Sequence, residues 1–266
     1  MEQVESALDY HMALAMLDWQ LELGADEVIC EAPVNRFELQ QSQPKPAAAA
    51  AGPDGKRRPP PVAKPKIDPI AEATKLAQAA QDLPGLRATL ETYEHCELKQ
   101  AARQLVFSDG TPEARVMVIG EMPGRDEDRL GKPFMGPSGR LLDKMLAAID
   151  LDRAADDPAK AAYLTTVLPW RGPQNRDATP AEVQQLKPFL ERHIALVKPD
   201  FLVLMGNLPC QALLAKRGIS RLRGQWAEVQ GIPALPMLHP ERLLRNPMAK
   251  RDAWADLLSL KARLDA

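Results

Sequence analysis

Residues 116–124 read Val-Met-Val-Ile-Gly-Glu-Met-Pro-Gly, and this stretch decides the fold class of the chain. An apolar run closed by a turn rich in glycine and proline is typical of a buried strand that delivers a loop to the edge of a sheet. A second apolar run, 234–238, is followed by His239-Pro240-Glu241. The sequence therefore predicts an acidic side chain, Glu121, at one strand end and a histidine, His239, at another.

The composition narrows the class of protein. The chain has 266 residues, 45% of them hydrophobic, and a net charge of −2. It can bury one sizeable core, and binding to nucleic acid would have to rest on local basic patches. Its three cysteines, Cys30, Cys96 and Cys210, are widely spaced, which argues against a disulfide framework and predicts a cytoplasmic protein. The sequence shows neither a signal peptide nor an apolar stretch long enough to cross a membrane.

Changes in composition predict three regions. Residues 1–40 form an N-terminal helical segment with an apolar helical pattern over 5–23. Residues 41–66 are rich in proline, alanine and lysine, cannot bury enough apolar surface to fold, and are predicted to form a disordered linker. Residues 67–266 form an α/β domain.

Strands and helices alternate in that domain. The patterns predict strands at 115–120, 162–167, 201–205, 226–230 and 234–238, and helices at 70–83, 86–93, 138–149, 180–197, 208–216 and 248–264. Such alternation predicts an α/β fold of three layers, α/β/α, with a central and mainly parallel sheet. Ligands bind such folds beyond the carboxyl ends of the strands, where both motif loops are expected.

Four ordered motifs carry a family resemblance. Residues 120–142 read Gly-Glu-Met-Pro-Gly-Arg-Asp-Glu-Asp-Arg-Leu-Gly-Lys-Pro-Phe-Met-Gly-Pro-Ser-Gly-Arg-Leu-Leu. They are followed by Trp-Arg-Gly-Pro-Gln-Asn-Arg at 170–176, Leu-Arg-Gly at 222–224 and His-Pro-Glu-Arg-Leu-Leu-Arg-Asn-Pro at 239–247. In this order they resemble family 4 of the uracil-DNA glycosylase superfamily, over about residues 87–264. The resemblance implies a base-excision repair enzyme that flips uracil out of DNA and hydrolyses its N-glycosidic bond. Nothing in the sequence suggests an oligomer, so we predict a monomer.

The resemblance also implies residue roles. Glu121 would position the attacking water and stabilise the cationic sugar, and His239 would donate a hydrogen bond to uracil O2. The residues expected to bind the base are Gly120, Met122, Pro123, Gly124, Phe134 and Thr166, with Phe134 stacking on uracil. The residues expected to contact DNA are Arg171, Arg176, Arg223, Arg242, Arg245 and Leu243, with Leu243 as the wedge that fills the gap left by the flipped base.

Simpler interpretations stay open for several of these residues. Phe134 could be an ordinary core residue, His239 a packing residue and each arginine a solvated surface charge. Asp126, Glu127 and Asp128 are interpreted as exposed carboxylates that fix or cap their loop.

The chain departs from the family at the cysteines. Family 4 members usually hold an iron–sulfur cluster through four cysteines, but here the first pair reads Cys96-Glu97-Leu98-Lys99. The third and fourth positions are assigned to Leu186 and Leu204. Because a [4Fe–4S] cluster needs a thiolate at each iron, we predict no metal and no cofactor.

A second departure is Thr166, where the family usually has an asparagine whose amide reads the uracil edge. A hydroxyl makes one rotatable contact and should discriminate less between bases. Thr166 therefore supports two extensions: activity on other deaminated bases, or a catalytically weak, inactive or covalently trapping relative that recognises damaged DNA. A third alternative, a nucleotide-binding α/β enzyme, has little support because the glycine spacing fits neither a P-loop nor a dinucleotide site. The N-terminal segment is a candidate for binding a repair or replication partner.

Overall fold

The computed structural model describes residues 10–22 and 68–266. The chain divides into two units, Met1–Ala63 and Lys64–Ala266. The first unit contributes helix α1, Tyr10–Glu22, which lies within the predicted helix at 5–23. The predicted linker at 41–66 lies outside the described residues, so the proposed division into three regions stays a prediction.

The second unit contains a sheet of six strands in the order β1-β3-β2-β4-β6-β5. The inner strands β3, β2, β4 and β6 pair in parallel, whereas β1 and β5 pair antiparallel at the two edges. This arrangement confirms the predicted mainly parallel sheet. The bounds are β1 Asp109–Gly110, β2 Val116–Gly120, β3 Ala162–Thr166, β4 Phe201–Met205, β5 Ala227–Val229 and β6 Ile232–Met237.

Helices flank this sheet in the predicted three-layer α/β/α arrangement. They are α2 Pro69–Ala79, α3 Leu83–Thr92, α4 Glu97–Ala101, α5 Arg125–Leu130, α6 Gly136–Ala147, α7 Pro180–Val197, α8 Asn207–Leu214, α9 Ile219–Leu222, α10 Pro240–Arg245 and α11 Lys250–Leu264. All six helices predicted in this domain are present, and the short helices α4, α5, α9 and α10 are additional. Within the described ranges, no helix combines the length and the apolar character needed to cross a bilayer.

Helix α7 shows how local sequence signals set the packing. Thr179 accepts a hydrogen bond from the backbone N–H of Glu182, and the Glu182 carboxylate accepts one from the N–H of Thr179, which together form a capping box. Pro180 occupies the first turn, where no donor is lost. The helix then buries an apolar face that includes Leu186 and Leu190, and it packs against α2 and α3.

The parallel strands place their carboxyl ends at one edge of the sheet. Gly120 at the end of β2 is opposite Thr166 at the end of β3, and Met205 of β4 is opposite Met237 of β6. Four loops therefore begin at this edge, as expected for a ligand site in a parallel α/β fold.

A buried histidine lies on the core side of α7. His193 stacks on Phe107 with ring centroids 4.5 Å apart, and its Nε2 lies 2.8 Å from the Tyr163 hydroxyl. Burial lowers the pKa of His193 from 6.5 to about 3, because the charged ring would lose its hydration. Burial also raises the pKa of Tyr163 to about 12.

We expect His193 to make the protein less stable in mild acid. The unfolded chain binds a proton at this histidine below pH 6.5, whereas the folded chain does not until about pH 3. Between these pH values this group lowers the free energy of unfolding by about 1.4 kcal/mol for each unit that the pH falls. Urea unfolding across this range should therefore show a shallower pH dependence in His193→Gln, which can keep a hydrogen bond to Tyr163. Equal slopes in the two proteins would contradict the assignment.

Candidate active site

A cavity of about 440 Å³ opens at the carboxyl edge of the sheet. Its walls come from the loop after β2, the end of β3, the start of α6, and α10 with the residue before it. Its lining residues are Gly120, Glu121, Met122, Gly124, Arg125, Asp126, Glu127, Phe134, Met135, Pro137, Ser138, Thr166, His239, Glu241, Leu244 and Arg245. The structure thus brings together most of the residues that were predicted to bind the base or act in catalysis.

Glu121 is fixed by the amino end of helix α8. Its Oε1 atom accepts hydrogen bonds from the backbone N–H groups of Asn207 and Leu208, at 2.8 and 3.3 Å. Gly206 allows this approach, because a Cβ atom there would lie 2.3 Å from Glu121 Oε1. Gly206 also has φ +105°, which favours glycine. One carboxylate oxygen is therefore held by backbone donors, which leaves Oε2 to act on a ligand.

His239 is the N-cap residue of α10. Its Nδ1 atom accepts a hydrogen bond from the N–H of Glu241 at 3.2 Å, and Pro240 follows at the first helical position. Burial lowers the pKa of His239, against the opposing effects of Glu121 and Glu241. Because Nδ1 is an acceptor in the neutral ring, Nε2 carries the hydrogen and is a donor.

Phe134 adopts a strained backbone conformation in the wall of the cavity. Its φ is +53°, which is rare for a large side chain and costs about 1–3 kcal/mol. The ring packs over Gly120, where a Cβ atom would lie 2.6 Å from the Phe134 Cζ atom. The ring also stacks on His239, with centroids 5.7 Å apart and planes inclined by 22°. Phe134 is therefore both a buried residue and a wall of the cavity.

Arg153 holds this strained turn in place. Its guanidinium donates to the carbonyl oxygens of Pro133 and Phe134 at 3.2 and 3.1 Å. It also forms ion pairs with Asp143 at 2.6 Å and Asp109 at 3.3 Å. The side chain is only 12% exposed. The sequence motifs did not single out Arg153, because it lies outside them and contacts the turn only in the folded chain.

Replacing Arg153 with methionine should misplace Phe134. The variant loses both carbonyl contacts and the ion pairs with Asp109 and Asp143, but Asp109 keeps Lys132 and Asp143 is half-exposed. We therefore expect the free energy of unfolding to fall by about 2 kcal/mol. The catalytic efficiency, kcat/KM, should fall about tenfold even at temperatures where the variant stays folded. Chemical unfolding and turnover measured on Arg153→Met and Arg153→Lys would check this. A variant that is less stable yet fully active would contradict a role for Arg153 in positioning Phe134.

Two acidic residues of the motif fix the loop after β2. Glu127 accepts hydrogen bonds from the N–H groups of Gly124 and Met135, at 3.1 and 2.8 Å, and burial raises its pKa. Asp128 accepts one from the N–H of Arg103 at 2.8 Å. The predicted loop-fixing role is consistent with these contacts, but the predicted exposure of Asp128 is wrong, because it is 2% exposed.

Not every predicted base-binding residue can contact a ligand in the cavity. Met122 and Gly124 line the cavity, whereas Pro123 is buried and is not part of the lining. The N–H of Gly124 is engaged by Glu127 and is not available to a ligand. Thr166 is 7% exposed, lines the cavity, and donates its hydroxyl hydrogen to the carbonyl oxygen of Leu168 at 2.8 Å.

The predicted wedge, Leu243, is buried in the structure. Leu243 is 1% exposed and belongs to the core, whereas Leu244 is 43% exposed and lines the cavity. The interpretation of residues 239–247 as a loop missed helix α10, in which neighbouring side chains point about 100° apart. His239-Pro240-Glu241 is a typical helix start and could have revealed the helix.

The predicted DNA-contacting arginines fall into two groups. Arg176 forms a two-point ion pair with Glu182, at 2.5 and 2.9 Å, which lowers the Glu182 pKa to about 2. Arg223 pairs with the buried Asp256 through two bonds. These carboxylates occupy the guanidinium groups, so the prediction of phosphate contacts there is not supported by the geometry.

The remaining predicted arginines differ in exposure, because the Arg171 side chain is 23% exposed whereas Arg242 and Arg245 lie fully at the surface. Arg171 donates to the side-chain oxygen of Asn175 at 2.6 and 2.8 Å, so these two residues fix the loop at 171–175. Arg242 donates to Ser220 at 2.9 Å, and Arg245 pairs with Glu241. Both belong to α10 and line a neighbouring cavity of about 230 Å³ that shares Glu121 and His239. Arg125, which was not predicted, lies exposed at the main cavity.

The cysteine positions can be tested against an iron–sulfur cluster. Cys96 and Cys210 are the described cysteines, both buried, and the described residues contain no group of three or more cysteine, histidine or acidic side chains suited to a metal. Lys99 points its ammonium at the carbonyl oxygens of Glu91 and Tyr93, at 2.6 and 3.1 Å. Leu186 and Leu204 are buried apolar residues. The donors present do not fit a four-thiolate cluster, and the absence of a cofactor stays a prediction.

Direct hydrogen bonds connect the segment around Cys96 to helix α7. The Gln185 side-chain amide donates to the Tyr93 hydroxyl at 2.8 Å and to the carbonyl oxygen of His95 at 2.7 Å. Burial raises the pKa of the Cys96 thiol, so the thiolate that a metal would require is disfavoured. Hydrogen bonding and apolar packing therefore connect these elements.

Comparison with known proteins identifies the family. The model of the uracil DNA glycosylase superfamily matches residues 107–258. The chain is 34% identical to a type-4 uracil-DNA glycosylase of Archaeoglobus fulgidus over 170 residues, which span 60% of this chain and 82% of that relative. It is 32% identical to the type-4 enzyme of Sulfurisphaera tokodaii (62% and 77% covered) and 29% identical to that of Saccharolobus solfataricus (65% and 82% covered). The chain therefore belongs to the uracil DNA glycosylase superfamily.

Proposed function

We propose that this chain is a DNA repair enzyme that hydrolyses the N-glycosidic bond of uracil in DNA after the nucleotide has been flipped out of the helix. The observation that carries the proposal is the meeting of Glu121, Phe134, Thr166 and His239 around one cavity. The names of the type-4 relatives support the same activity. A base must leave the stack to enter such a cavity.

The base would be held by stacking and by a donor for its developing charge. Phe134 offers an aromatic face, held in its strained turn by Arg153. His239 presents Nε2–H, since its Nδ1 atom accepts from Glu241. This donor would contact uracil O2, where negative charge gathers as the C–N bond breaks.

The bond cleavage then divides charge between base and sugar. The electron pair of the C1′–N1 bond leaves with uracil, and the sugar becomes an oxocarbenium ion. The free Oε2 of Glu121 would stabilise this cation and orient a water molecule. The water oxygen bonds to C1′ and its proton passes to Glu121 or to solvent, which leaves an abasic site. The uracil anion then takes up a proton from solvent and is released as neutral uracil.

The phosphates of the DNA strand would be contacted by side chains at the rim of the cavity. Arg125, Arg242 and Arg245 are the side chains placed to meet phosphates there, because they lie on the two short helices, α5 and α10, that border the two cavities. We assign the wedge to Leu244, which is exposed beside the cavity. An apolar side chain at that place can fill the gap left by the flipped nucleotide.

Leu244→Ala should slow uracil release from duplex DNA about tenfold and affect single strands much less, since only the duplex must be held open. Leu243→Ala is the matched control. Leu243 is a core residue, so its truncation should cost about 2–5 kcal/mol of stability. It should change the rates of uracil release from duplex and from single-stranded DNA by the same factor. Single-turnover release from the two substrates would check this. An equal effect of Leu244→Ala on both would contradict the wedge.

The proposed activity is tested by abasic-site formation on a uracil-containing oligonucleotide, read out as strand cleavage by alkali. We expect release by the wild-type chain, with hypoxanthine and xanthine as further candidate bases. DNA binding without release from any of these would favour a non-catalytic relative, for which Thr166 is the supporting observation. A product that stays covalently attached to the protein would favour the trapping relative.

A further inference from the structure

Thr166 occupies a rigid place at the carboxyl end of β3. The N–H of Val167 donates to the carbonyl oxygens of Gly120 and Glu121, at 3.0 and 3.1 Å, so the strand end is tied to the motif loop. The Thr166 side chain is 7% exposed and lines the cavity. Its hydroxyl donates to the carbonyl oxygen of Leu168 at 2.8 Å.

This hydrogen bond fixes the polarity of the hydroxyl. A threonine hydroxyl has one hydrogen to donate and two lone pairs that accept. Because the hydrogen is committed to Leu168, the oxygen can only accept a hydrogen bond from a ligand in the cavity. An asparagine amide at the same place could accept with its oxygen and donate with its nitrogen at once.

We propose that Thr166 reads the base solely by accepting a hydrogen bond from a ring N–H and does not read the neighbouring exocyclic carbonyl. The inference rests on the proposed function. The class set by this contact is bases that present a ring N–H beside any acceptor, which includes hypoxanthine and xanthine through their N1–H. Uracil belongs to this class. The contact does not separate uracil from thymine, which also carries N3–H and differs from uracil only at C5. Cytosine presents a lone pair at N3, which faces the threonine oxygen without a hydrogen between them, so cytosine is rejected.

Four oligonucleotides that differ in one base separate the two edges of the pyrimidine. They carry uracil, 4-thiouracil (which keeps N3–H and replaces O4), N3-methyluracil (which lacks the N–H) and cytosine. We expect the wild-type chain to release 4-thiouracil with a kcat/KM within about threefold of uracil, and to leave the other two in place. A single unmade hydrogen bond is expected to change these values by about tenfold.

Variants at Thr166 provide matched controls. Thr166→Asn adds a donor towards O4, so it should release uracil about tenfold better than 4-thiouracil. Thr166→Ser keeps the hydroxyl and should keep the wild-type ratio. Thr166→Val removes the acceptor and should lose about tenfold on uracil. Thermal unfolding of each variant identifies any loss that comes from misfolding, and the serine variant carries the test if the valine variant is unstable.

The outcomes separate this inference from the proposed function. Uracil release combined with release of cytosine or N3-methyluracil would overturn the inference alone. So would a wild-type preference for uracil over 4-thiouracil of tenfold or more that Thr166→Asn leaves unchanged. Failure to release uracil at all would overturn the proposed function, and the inference would fall with it.

Discussion

Glu121→Gln is expected to lower the rate of uracil release by about 10²–10⁴-fold and to leave the Tm nearly unchanged. The glutamine carbonyl oxygen can still accept the two hydrogen bonds from Asn207 and Leu208, so the end of α8 stays capped. What disappears is the negative charge that would stabilise the cationic sugar and orient the water. Single-turnover release and thermal unfolding of the same preparation measure the two effects separately.

Two further variants test whether the carboxylate position matters as well as its charge. Glu121→Ala removes the capping acceptor too, and should cost about 1 kcal/mol of stability in addition to the loss of activity. Gly206→Ala places a methyl carbon only 2.3 Å from Glu121 Oε1 and so displaces the carboxylate. This variant should have reduced activity although the carboxylate is still present. Wild-type rates for Glu121→Gln would remove this residue from the chemistry.

His239→Asn is expected to slow uracil release by about 10²–10³-fold. Asparagine is a good N-cap residue, so it can replace Nδ1 as the acceptor for the N–H of Glu241 and preserve the start of α10. It is too short to present a donor where Nε2–H now lies. Charge on uracil O2 would then develop without a partner.

The leaving group provides a control for this prediction. 5-Fluorouracil is a more acidic leaving group than uracil and needs less help from a donor, so the variant should lose less activity on it. Because burial lowers the pKa of His239 below 6.5, the wild-type ring is already neutral above that pH. The ratio of wild-type to variant rates should therefore be constant between pH 6.5 and 8. A loss that is the same for both bases would assign His239 a purely structural role.

The sequence motifs predicted where the site lies because the motifs at 120–142 and 239–247 each begin at or just after the end of a strand. Apolar runs predicted the strands β2, β3 and β6. Parallel pairing of the inner strands then brings Glu121, Thr166 and His239 to one edge of the sheet. The capping box of α7 was also visible in the sequence, since Thr179 and Glu182 have the required spacing. These features depend on local patterns and on one general rule of parallel sheets.

The residues that were misplaced depend on contacts between distant parts of the chain. Arg223 meets Asp256 from another helix, and no pattern within its own motif indicates that pair. Arg153 reaches Phe134 across α6. Leu243 is buried and Leu244 is exposed because the direction of each side chain depends on the phase of a six-residue helix. A motif states which residue types are present, and the pairing of each side chain follows only from the fold.

The attachment of Glu121 to helix α8 makes that helix a sensor of the site. The amide protons of Asn207 and Leu208 point at the carboxylate, so their magnetic environment depends on its charge and position. Binding of an abasic product or of an uncleavable nucleotide in the cavity should shift these two resonances first. Occupancy of the cavity can thus be followed from the backbone N–H groups of Asn207 and Leu208 while the ligand stays unlabelled.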